Sequence, residues 1–509
     1  MERDRRDRKK RENMDYSTLF LWISLAWAFI HIVLLAKEKS SAHKLPPGPI
    51  PLPIIGSLFK LGHKPHDSLA RLAKIYGPIM TLRLGRVLTV IASSADMAKE
   101  VLQKNDQALS GRTVVDAVRA QNYHESTMGW QPANSNWRKL RMMYNTQMFT
   151  AQRLDANQAL RRQKVQELIA HMRQSCLGGQ VVDIGRAAFV TTLNLLSNSI
   201  FSVDLVNPSS ESVQEFKDAV HGIMEEAGKP NLSDYFPLLR PLDPLGIRRR
   251  MTAHFKKLYQ IFDKMIDERL QFRASSESPR MNDFLDVLLD QSHENELSRS
   301  DINALLTEIF SAGSDTSSST IEWAMAELLR NPNVLAKARS ELIQTIGSEH
   351  QVEESDIARL PYIQAIVKET LRLHPPVPLL IPHRAETGVE ICGCTIPRHT
   401  QVFVNVWAIG RDPSIWRDPT SFKPERFVGS EIDLRGRDFE LMPFGAGRRI
   451  CPGLPLGLRM VNLMLASLLH SFGWKLPDGV GPQDMDMSDK FGITLQMAVP
   501  LRAIPVQAV

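Results

Sequence analysis

Cysteine is scarce in this chain, and its scarcity narrows the class of protein. Only Cys176, Cys392, Cys394 and Cys451 occur among 509 residues. Secreted scaffolds held by disulfides are smaller and much richer in cysteine, so the sequence indicates a reducing compartment. Cys392 and Cys394 form a Cys-x-Cys pair, but no second pair or His-x-x-x-His stands near enough to complete a zinc signature. A strand edge in VEICGCTIP is the favoured interpretation of this pair.

The sequence also lacks internal repeats, a nucleic-acid motif and a long Gly/Ser linker after Leu45. Hydrophobic residues make up 43% of the chain and charged residues 23%, which excludes a disordered or fibrous protein. The net charge of +6 would attract acidic partners or anionic membrane surfaces. Because the basic residues are scattered and no aromatic stacking platform accompanies them, we expect one large globular body and no nucleic-acid partner.

An uncharged apolar run near the N-terminus predicts a membrane anchor. As a helix, the run LFLWISLAWAFIHIVLLA from Leu19 to Ala36 would span roughly 27 Å, about the thickness of an endoplasmic reticulum hydrocarbon layer. A cleavable signal peptide is the competing interpretation, because Ser40 and Ala42 suit a processing site, but the run is longer than usual for one. The prolines of KLPPGPIPLP cannot continue a helix and predict an extended spacer. The predicted division is a charged extension (1–15), a transmembrane anchor (16–36), a proline-rich hinge (37–53) and a globular domain (54–509).

The charges that flank this run bear on the orientation of the chain. Lys and Arg residues near a span prefer the cytoplasm. The segment MERDRRDRKKREN holds seven of them, whereas Lys37, Lys39 and Lys44 follow the run. Translation from Met14 would change the count to zero against three. We therefore expect residues 1–13 to be an upstream extension, and the globular domain to lie in the cytosol on a single-pass anchor in the endoplasmic reticulum membrane.

Glycine, arginine and proline crowd around one cysteine in the segment FGAGRRICPG. A thiolate that ligates haem iron needs its sulfur on a loop, with backbone N–H groups turned towards it and a helix start behind it. Gly445, Gly447 and Gly453 would allow tight turns and close approach to a flat macrocycle. Pro452 suits the first turn of the helix that LPLGLRMVNLMLASLLH predicts. Cys451 is therefore the candidate metal ligand, because a buried inert cysteine would not need these neighbours.

The segment matches, position by position, the FxxGxRxCxG signature of the cytochrome P-450 family of haem-thiolate monooxygenases, which the chain resembles from Met14 onwards. The resemblance implies a mainly α fold with a small β-rich lobe near residues 78–92 and 388–405. It also implies haem b with the Cys451 thiolate as axial ligand, and Phe444 and Gly445 beside the macrocycle.

Four basic or aromatic residues are predicted to meet the haem propionates. Arg449 is placed next to the cysteine loop. Trp137 and Arg141 of WRKLR lie one helical turn apart and can both face a propionate. Arg384 of IPHRAE adds a further contact by resemblance.

Three residues predict an ionic brace beneath the haem. Glu369 and Arg372 of KETLRLHPP resemble the ExxR pair of the family, and Arg426 of FKPERF resembles its third member. Glu and Arg three residues apart share one helix face, so a buried ion pair closed by a second arginine is physically reasonable.

The segment DINALLTEIFSAGSDTSSSTIEWAMAELLR is predicted to be a long helix that ends at Asn331-Pro332. Its middle places glycine and hydroxyl residues where helix propensity favours alanine or leucine, which indicates a functional cause. By resemblance, Ala312 and Gly313 leave room for oxygen on the distal face, and Thr316 with Asp315 relays protons. The alternative is that these hydroxyl groups bond back to their own helix.

Several stretches, among them EAGKPNLSDYFPLLRPLDPLGIRRRMTAHF, are similar to plant members of family 76, and most to those of the geraniol 8-hydroxylase type. This similarity implies hydroxylation of a small hydrophobic metabolite, foremost a monoterpene alcohol such as geraniol at an allylic methyl. It also implies O2 and electrons from NADPH through a reductase, for which Arg138, Lys139 and Arg448 would offer a positive surface, although a solvated helix face explains them equally well.

Other functions stay open. A different terpenoid or a prenylated phenolic could be the substrate, and a non-oxygenating haem-thiolate isomerase or dehydratase is a further alternative. A tethered haem-binding protein without catalysis is disfavoured by Thr316 and the ExxR pair. The predicted walls of a mostly apolar substrate pocket are residues 110–130, 224–237, the helix around Ile309, residues 377–381 and residues 491–495.

Overall fold

The computed structural model describes residues 16, 18–22, 24–25, 44–206, 211–275, 280–294 and 296–507. The helical content predicted from the sequence is confirmed, since most of the described chain is helical. The long helices, numbered in chain order, are α1 (Pro65–Tyr76), α2 (Ser135–Gln147), α3 (Gln158–Leu177), α4 (Ile184–Phe201), α5 (Glu211–Gly228), α6 (Ile247–Ala274), α7 (Phe284–His293), α8 (Arg299–Arg330), α9 (Pro332–Ile346), α10 (Pro361–Leu373) and α11 (Leu454–Ser471). Short helical turns connect them at Leu58–Lys60, Ala95–Lys99, Glu100–Lys104, Asp116–Asn122, Tyr123–Ser126, Ala151–Ala156, Leu232–Tyr235, Pro237–Leu242, Glu354–Arg359, Val406–Ile409, Pro424–Phe427 and Gly447–Arg449.

The strands are short and form small sheets. They are β1 (Ile79–Leu84), β2 (Val87–Ala92), β3 (Gly111–Arg112), β4 (Val182–Asp183), β5 (His383–Arg384), β6 (Val389–Ile391), β7 (Cys394–Ile396), β8 (Gln401–Val404), β9 (Phe472–Lys475), β10 (Asp489–Lys490), β11 (Gln496–Met497) and β12 (Arg502–Gln507). Within the described ranges, the largest sheet has the order β1-β2-β8-β5-β3, and the others are β4-β12-β9, β6-β7 and β10-β11. The predicted β-rich lobe therefore exists, and Cys394 lies in β7 as the strand-edge interpretation expects.

Helix α8 is the central element, and its ends follow local sequence signals. The Ser298 hydroxyl accepts from the backbone N–H of Asp301, whose carboxylate accepts from the N–H of Ser298, so a capping box starts the helix. The helix stops at Asn331, because Pro332 opens α9. Buried apolar residues surround α8 on most sides, as expected for a helix inside a large core.

Two apolar cores meet along α8. Its first half packs Phe310 among residues of α4, α5, α6 and α7, whereas its second half packs Trp323 among residues of α10 and α11. The middle of the helix, between the two cores, is the stretch that carries glycine and hydroxyl residues. The fold therefore places the unusual sequence at the centre of the molecule.

The predicted membrane anchor lies mostly outside the described residues. Residues 16, 18–22 and 24–25 are helical, and side chains such as Phe20 (74% exposed) and Trp22 (69% exposed) are largely uncovered by the described part of the chain. Among the described helices, α11 alone is long and apolar enough to cross a membrane, but 61% of it is buried inside the protein. Helix α11 is therefore a core helix. The extension 1–15 and most of the hinge before Lys44 also lie outside the described residues.

Candidate active site

A cavity of about 300 Å³ separates α8 from the loop that carries Cys451. Ala312, Gly313 and Thr316 of α8 line it, and so do Phe444 and Cys451. The predicted distal and proximal segments, more than a hundred residues apart in the chain, thus meet at one cavity. The cavity therefore combines small residues of α8 with a sulfur from the loop.

The Cys451 thiol sits at the start of α11, where backbone N–H groups point at it. Its own N–H donates to the carbonyl of Phe444 (3.0 Å), which closes the loop. Burial raises the pKa of the Cys451 thiol, while the N–H groups of Gly453 and Leu454 and the positive charge of Arg141 lower it. These donors and the helix start stabilise the thiolate relative to the thiol, as a metal ligand needs.

The three glycines of the cysteine loop differ in whether the structure requires glycine at their positions. Gly445 (φ 70°) and Gly447 (φ 65°) adopt the left-handed backbone conformation. An added Cβ at Gly447 would also lie 1.9 Å from the carbonyl oxygen of Leu102. Gly453 has φ −79°, and the nearest atom to an added Cβ is Cys451 Sγ at 3.8 Å. The backbone freedom expected at all three glycines is thus required at Gly445 and Gly447 but not at Gly453.

The proline expected in the first turn of α11 is a different one. The helix begins at Leu454 with Gly453 as its N-cap, so Pro455 and not Pro452 occupies the first turn. Pro452 instead lines the cavity beside the cysteine. The helix starts two residues after Pro452, a shift of the size by which helix ends commonly differ.

Arg449 lies at the rim of the cavity and is held by three carbonyl oxygens. Its Nε donates to Ser110 (3.0 Å), Nη1 to Met128 (3.1 Å) and Nη2 to Gln131 (2.6 Å). The guanidinium stacks over the Trp137 ring at 4.6 Å from the ring centroid. Burial and the nearby charge of Arg141 lower the pKa of Arg449 to about 10. A guanidinium has five N–H donors, so two remain for an anionic group.

Trp137 and Arg141 both line the cavity from α2, as their spacing predicts. The Trp137 indole N–H donates to the carbonyl of Met128 (3.1 Å). Arg141 Nη1 donates to the carbonyl of Ile450 (2.6 Å), one residue before the cysteine, and burial lowers its pKa. Arg141 therefore contacts the cysteine loop directly.

Arg384 is not among the described residues that line the cavity, and the structure brings two other residues there. Its guanidinium pairs with Glu386 (2.9 Å), and the side chain is 37% exposed. In the antiparallel pair of β3 and β5, Arg112 lies opposite His383, and Gly111 lies opposite Arg384. Alternate residues of a strand point to opposite faces, so Arg112 and His383 face the cavity while Arg384 points away.

Sequence reasoning missed Arg112 and His383, although both stand next to segments that it named. Burial and Arg449 lower the pKa of Arg112 well below its usual value. Burial, with Arg112 as the next cause, lowers the pKa of His383, whose Nδ1 lies 2.8 Å from the carbonyl of Leu109. The signal that could have identified them is the strand alternation around IPHR.

The two members of the predicted proton relay occupy different sides of α8. Thr316 lines the cavity, and its hydroxyl donates to the carbonyl of Ala312 (2.6 Å), which is the helix back-bond considered as an alternative. Asp315 is 1% exposed and points away from the cavity, where Oδ1 lies 2.9 Å from His221 Nε2 and accepts from Gln496 (2.8 Å). Its Oδ2 is buried and has no hydrogen-bond partner among the described residues.

Ala312 and Gly313 both border the cavity, but Gly313 also has a packing reason. An added Cβ would lie 2.7 Å from Cδ1 of Leu196 in α4. The close crossing of α4 and α8 therefore requires glycine at this point, in addition to any need for space above a cofactor.

The structure brings Glu369, Arg372 and Arg426 together in a buried network. Glu369, fully buried, accepts from Arg372 Nε (2.7 Å) and Nη2 (2.8 Å) and from Arg426 Nε (3.1 Å). The backbone N–H of Lys423 donates to the same carboxylate (2.7 Å). Both guanidinium groups also stack against Trp416. The network joins α10 to the segment that leads to the cysteine loop.

The predicted walls of the substrate pocket are only partly those of the cavity. Residues 110–130, the helix around Ile309 and residues 377–381 contribute, through Arg112, Met128, Gly129, Ile309, Val377, Leu380 and Ile381. Residues 224–237 and 491–495 do not line the cavity within the described structure. They pack against each other instead: Ile493 N donates to Met224 O (2.8 Å), and Gly492 contacts Gly228.

The basic residues expected to form a positive surface are mostly paired. Lys139 pairs with Glu296 (3.1 Å) and Arg448 with Asp106 (2.9 Å). Arg138 donates to the carbonyl of Asn134 (3.3 Å) and is exposed. Their net positive field is therefore weaker than the sequence alone suggests.

The residues present fit a planar, iron-holding group with two carboxylates. The residues that line the cavity include the Cys451 thiol, three arginines with spare N–H donors (Arg112, Arg141 and Arg449), and the small residues Ala312 and Gly313. Thiolate ligation combined with arginine-bound carboxylates is the donor set that haem takes.

Comparison with known proteins agrees with this geometry. The family model for cytochrome P-450 matches residues 46–498. The chain is 55% identical over 493 residues to a geraniol 8-hydroxylase of Swertia mussotii, which covers 96% of this chain and 99% of that protein. It is 55% identical over 494 residues to a geraniol 8-hydroxylase of Catharanthus roseus, and the alignment covers 97% of this chain and 99% of that protein. It is 48% identical over 498 residues to a drimenol monooxygenase of Persicaria hydropiper, with 97% of this chain and 98% of that protein covered. The chain therefore belongs to the cytochrome P-450 family.

Proposed function

We propose that this monooxygenase binds haem b through the Cys451 thiolate and hydroxylates a small hydrophobic plant metabolite. The observation that carries the proposal is that Cys451 lines the same cavity as Ala312 and Thr316 of α8. When bound, haem supplies the iron that activates O2 for insertion of one oxygen atom into a C–H bond. The protein then has to bind, orient and protect the substrate and deliver protons.

The residues have distinct parts in this proposal. The N–H groups of Gly453 and Leu454 and the charge of Arg141 favour the thiolate form of Cys451 against burial, which raises the pKa of the thiol, and a bound iron would supply the remaining stabilisation of the thiolate. Arg449, Arg141 and Arg112 hold the two carboxylates of the cofactor with their remaining donors. The Trp137 ring, whose N–H is taken by the carbonyl of Met128, supports Arg449 by stacking. On the opposite side, the Thr316 hydroxyl can pass a proton to the cavity, and Asp315 with His221 connects α8 to the partly exposed surface of α5. The Glu369 network holds the segment that leads to the cysteine loop against α10, and it thereby positions the loop.

The proposed substrate is a monoterpene alcohol such as geraniol, oxidised at an allylic methyl. Two geraniol 8-hydroxylases are among the similar proteins, and the chain covers nearly their full length. Ile309, Val377, Leu380 and Ile381 give the cavity an apolar wall of the kind a terpenoid needs. A bulkier terpenoid is the second candidate, because the similar drimenol monooxygenase is named for a different substrate.

We further propose that electrons come from NADPH through a membrane-bound reductase. The exposed apolar helix at residues 18–22 supports a single-pass anchor in the endoplasmic reticulum membrane, with the catalytic domain in the cytosol. The division into extension, anchor, hinge and domain belongs to the same proposal.

Two measurements test it. The ferrous protein under carbon monoxide should show the strongly red-shifted absorption of a sulfur-ligated adduct, and Cys451→Ala should lose it. Microsomes with a supplied reductase should then form a hydroxylated product from geraniol that depends on NADPH. Absence of the band overturns the haem-thiolate assignment, whereas a normal band with no product from a panel of monoterpene alcohols overturns only the substrate.

A further inference from the structure

One partly buried carboxylate in the cavity wall has no part in the function proposed above. Glu308 lies on α8, and it is the only carboxylate among the described residues that line the cavity. Its Oε1 accepts from the backbone N–H of Gly129 (2.6 Å), and Oε2 accepts from the N–H of Met128 (3.0 Å) and from the Tyr144 hydroxyl (3.2 Å). A poorly solvated acid is costly to place, and three hydrogen-bond donors compensate the cost here by fixing the carboxylate in one geometry.

The two backbone donors belong to the segment Thr127–Gln131, whose carbonyl groups hold the rim of the cavity. The carbonyl of Met128 accepts from Trp137 Nε1 and from Arg449 Nη1 (3.1 Å each). In the same segment, the carbonyl of Gly129 accepts from Arg112 Nε (3.0 Å), and the carbonyl of Gln131 accepts from Arg449 Nη2 (2.6 Å).

The segment is therefore a main-chain bridge between one negative and two positive side chains. Its N–H groups point to the carboxylate of Glu308, and its C=O groups point to the guanidinium groups of Arg112 and Arg449. Each charge polarises the peptide groups in the sense that strengthens the bonds on the other side. Burial raises the pKa of Glu308, and the two N–H donors, Tyr144 and Arg449 lower it, so the carboxylate and the rim are electrostatically linked.

Glycine at residue 129 allows the carboxylate of Glu308 to come this close to the main chain. An added Cβ at Gly129 would lie 2.9 Å from Oε1 of Glu308. The carboxylate could avoid it only by giving up hydrogen bonds, so the absence of a side chain at residue 129 permits the close contact.

We propose that Glu308 is a positioning residue that fixes Thr127–Gln131, so that its carbonyl groups orient Arg112 and Arg449 towards the carboxylates of the cofactor and hold the Trp137 ring against Arg449. The inference rests on the proposed haem-binding function and extends it to a residue outside the cysteine loop, the α2 contacts and the ionic brace. Without the carboxylate, the bridge loses both N–H anchors, and the rim loses the carbonyl groups that aim it.

The experiment compares Glu308→Gln with Glu322→Gln in the full-length haem-bound protein. Glu322 is a matched control because it is also a poorly solvated acid on α8 and accepts a backbone N–H, that of Leu501 (2.9 Å), but it does not contact the bridge. Hydrogen exchange by mass spectrometry follows the amides of residues 127–131, and transfer of haem to excess haem-free myoglobin follows cofactor retention.

In Glu308→Gln, exchange at Met128 and Gly129 and the rate of haem transfer should each rise about tenfold, the effect expected from losing a charge-assisted hydrogen bond. Glu322→Gln should leave both rates within about twofold of the wild type. Glu308→Asp should recover part of the loss, and Tyr144→Phe, which removes one donor and keeps the charge, should give a smaller change in the same direction. These two milder variants carry the test if Glu308→Gln does not fold.

Unchanged exchange and haem transfer in the Glu308 variants overturn the positioning role. Equal increases in the Glu308 and Glu322 variants also overturn it, because they would indicate general loosening of α8. Failure of the wild type to give the sulfur-ligated carbon monoxide band overturns the proposed function itself. This outcome is distinguishable from failure of the Glu308 role, because it concerns the wild type and not the variants.

Discussion

The Nε2 atom of His221 in α5 lies 2.9 Å from Oδ1 of Asp315 in α8, on the side of the helix that faces away from the cavity. His221 is 31% exposed, whereas Asp315 is 1% exposed and its neighbour Thr316 lines the cavity. The pair therefore connects solvent to the middle of α8. In the proposed proton relay, this contact would connect Asp315 to solvent, although Asp315 does not face the cavity itself.

Asp315→Asn should slow product formation by about 10- to 100-fold, because the amide cannot exchange a proton on behalf of the cavity. Haem content and substrate binding should stay unchanged, since Asp315 does not line the cavity in which both would bind. Product and NADPH consumption, measured together with a supplied reductase, check this. Ser318→Ala is the control, because Ser318 is a buried hydroxyl on α8 that only bonds to its own helix. Normal turnover in Asp315→Asn would limit this residue to packing.

Glu369→Gln should lower the free energy of unfolding by about 3 to 5 kcal/mol, because it leaves the buried Arg372 and Arg426 without their shared negative charge. Haem content after expression should fall with it. Denaturant unfolding checks the change. Lys264→Ala, which removes an exposed ion pair with Glu268 in α6, should cost no more than about 1 kcal/mol. Similar losses in the two variants would contradict the special weight given to the buried network.

Gly447→Ala should destabilise the cysteine loop, whereas Gly453→Ala should be tolerated. The first change puts a side chain at φ 65° and 1.9 Å from Leu102 O, and the backbone strain alone costs about 1 to 2 kcal/mol. The second keeps φ −79° and an ordinary contact of 3.8 Å with the sulfur. The intensity of the sulfur-ligated carbon monoxide band and its loss on heating compare them. Equal behaviour of the two variants would show that the loop can shift to accommodate a methyl group.

Glu322→Gln should make stability less dependent on pH. Burial raises the pKa of Glu322 from 4.5 to about 7 in the folded protein. Between these values the folded state holds a proton that the unfolded state has released, so wild-type stability falls as pH rises, by at most about 3 kcal/mol. The glutamine removes this contribution. Urea unfolding at several pH values from 4.5 to 7.5 measures how steeply the free energy of unfolding changes with pH. Burial also raises the pKa of Asp234 to about 7, so the variant should keep the part of the pH dependence that comes from Asp234. An unaltered slope would mean that Glu322 does not titrate in this range.

The sequence by itself determined the features that depend on local pattern. The cysteine loop, the long helix α8 and the Glu369–Arg372 spacing are contiguous motifs, and residues three or four apart on a helix share a face wherever the helix lies. For the same reason Trp137 and Arg141 reach the cavity together. Cytochrome P-450 membership followed from the cysteine loop before any contact was known.

Tertiary structure decided which side each remaining residue faces. Arg384 and His383 are adjacent in sequence, and only the pairing of β5 with β3 turns His383 towards the cavity and Arg384 towards Glu386. Likewise, the packing of α5 against α8 assigned Asp315 to His221. Glu308 meets the N–H groups of Met128 and Gly129 across some 180 residues of chain. Such contacts depend on how distant elements pack, and a periodic pattern along one segment carries no information about the partner that another segment will bring.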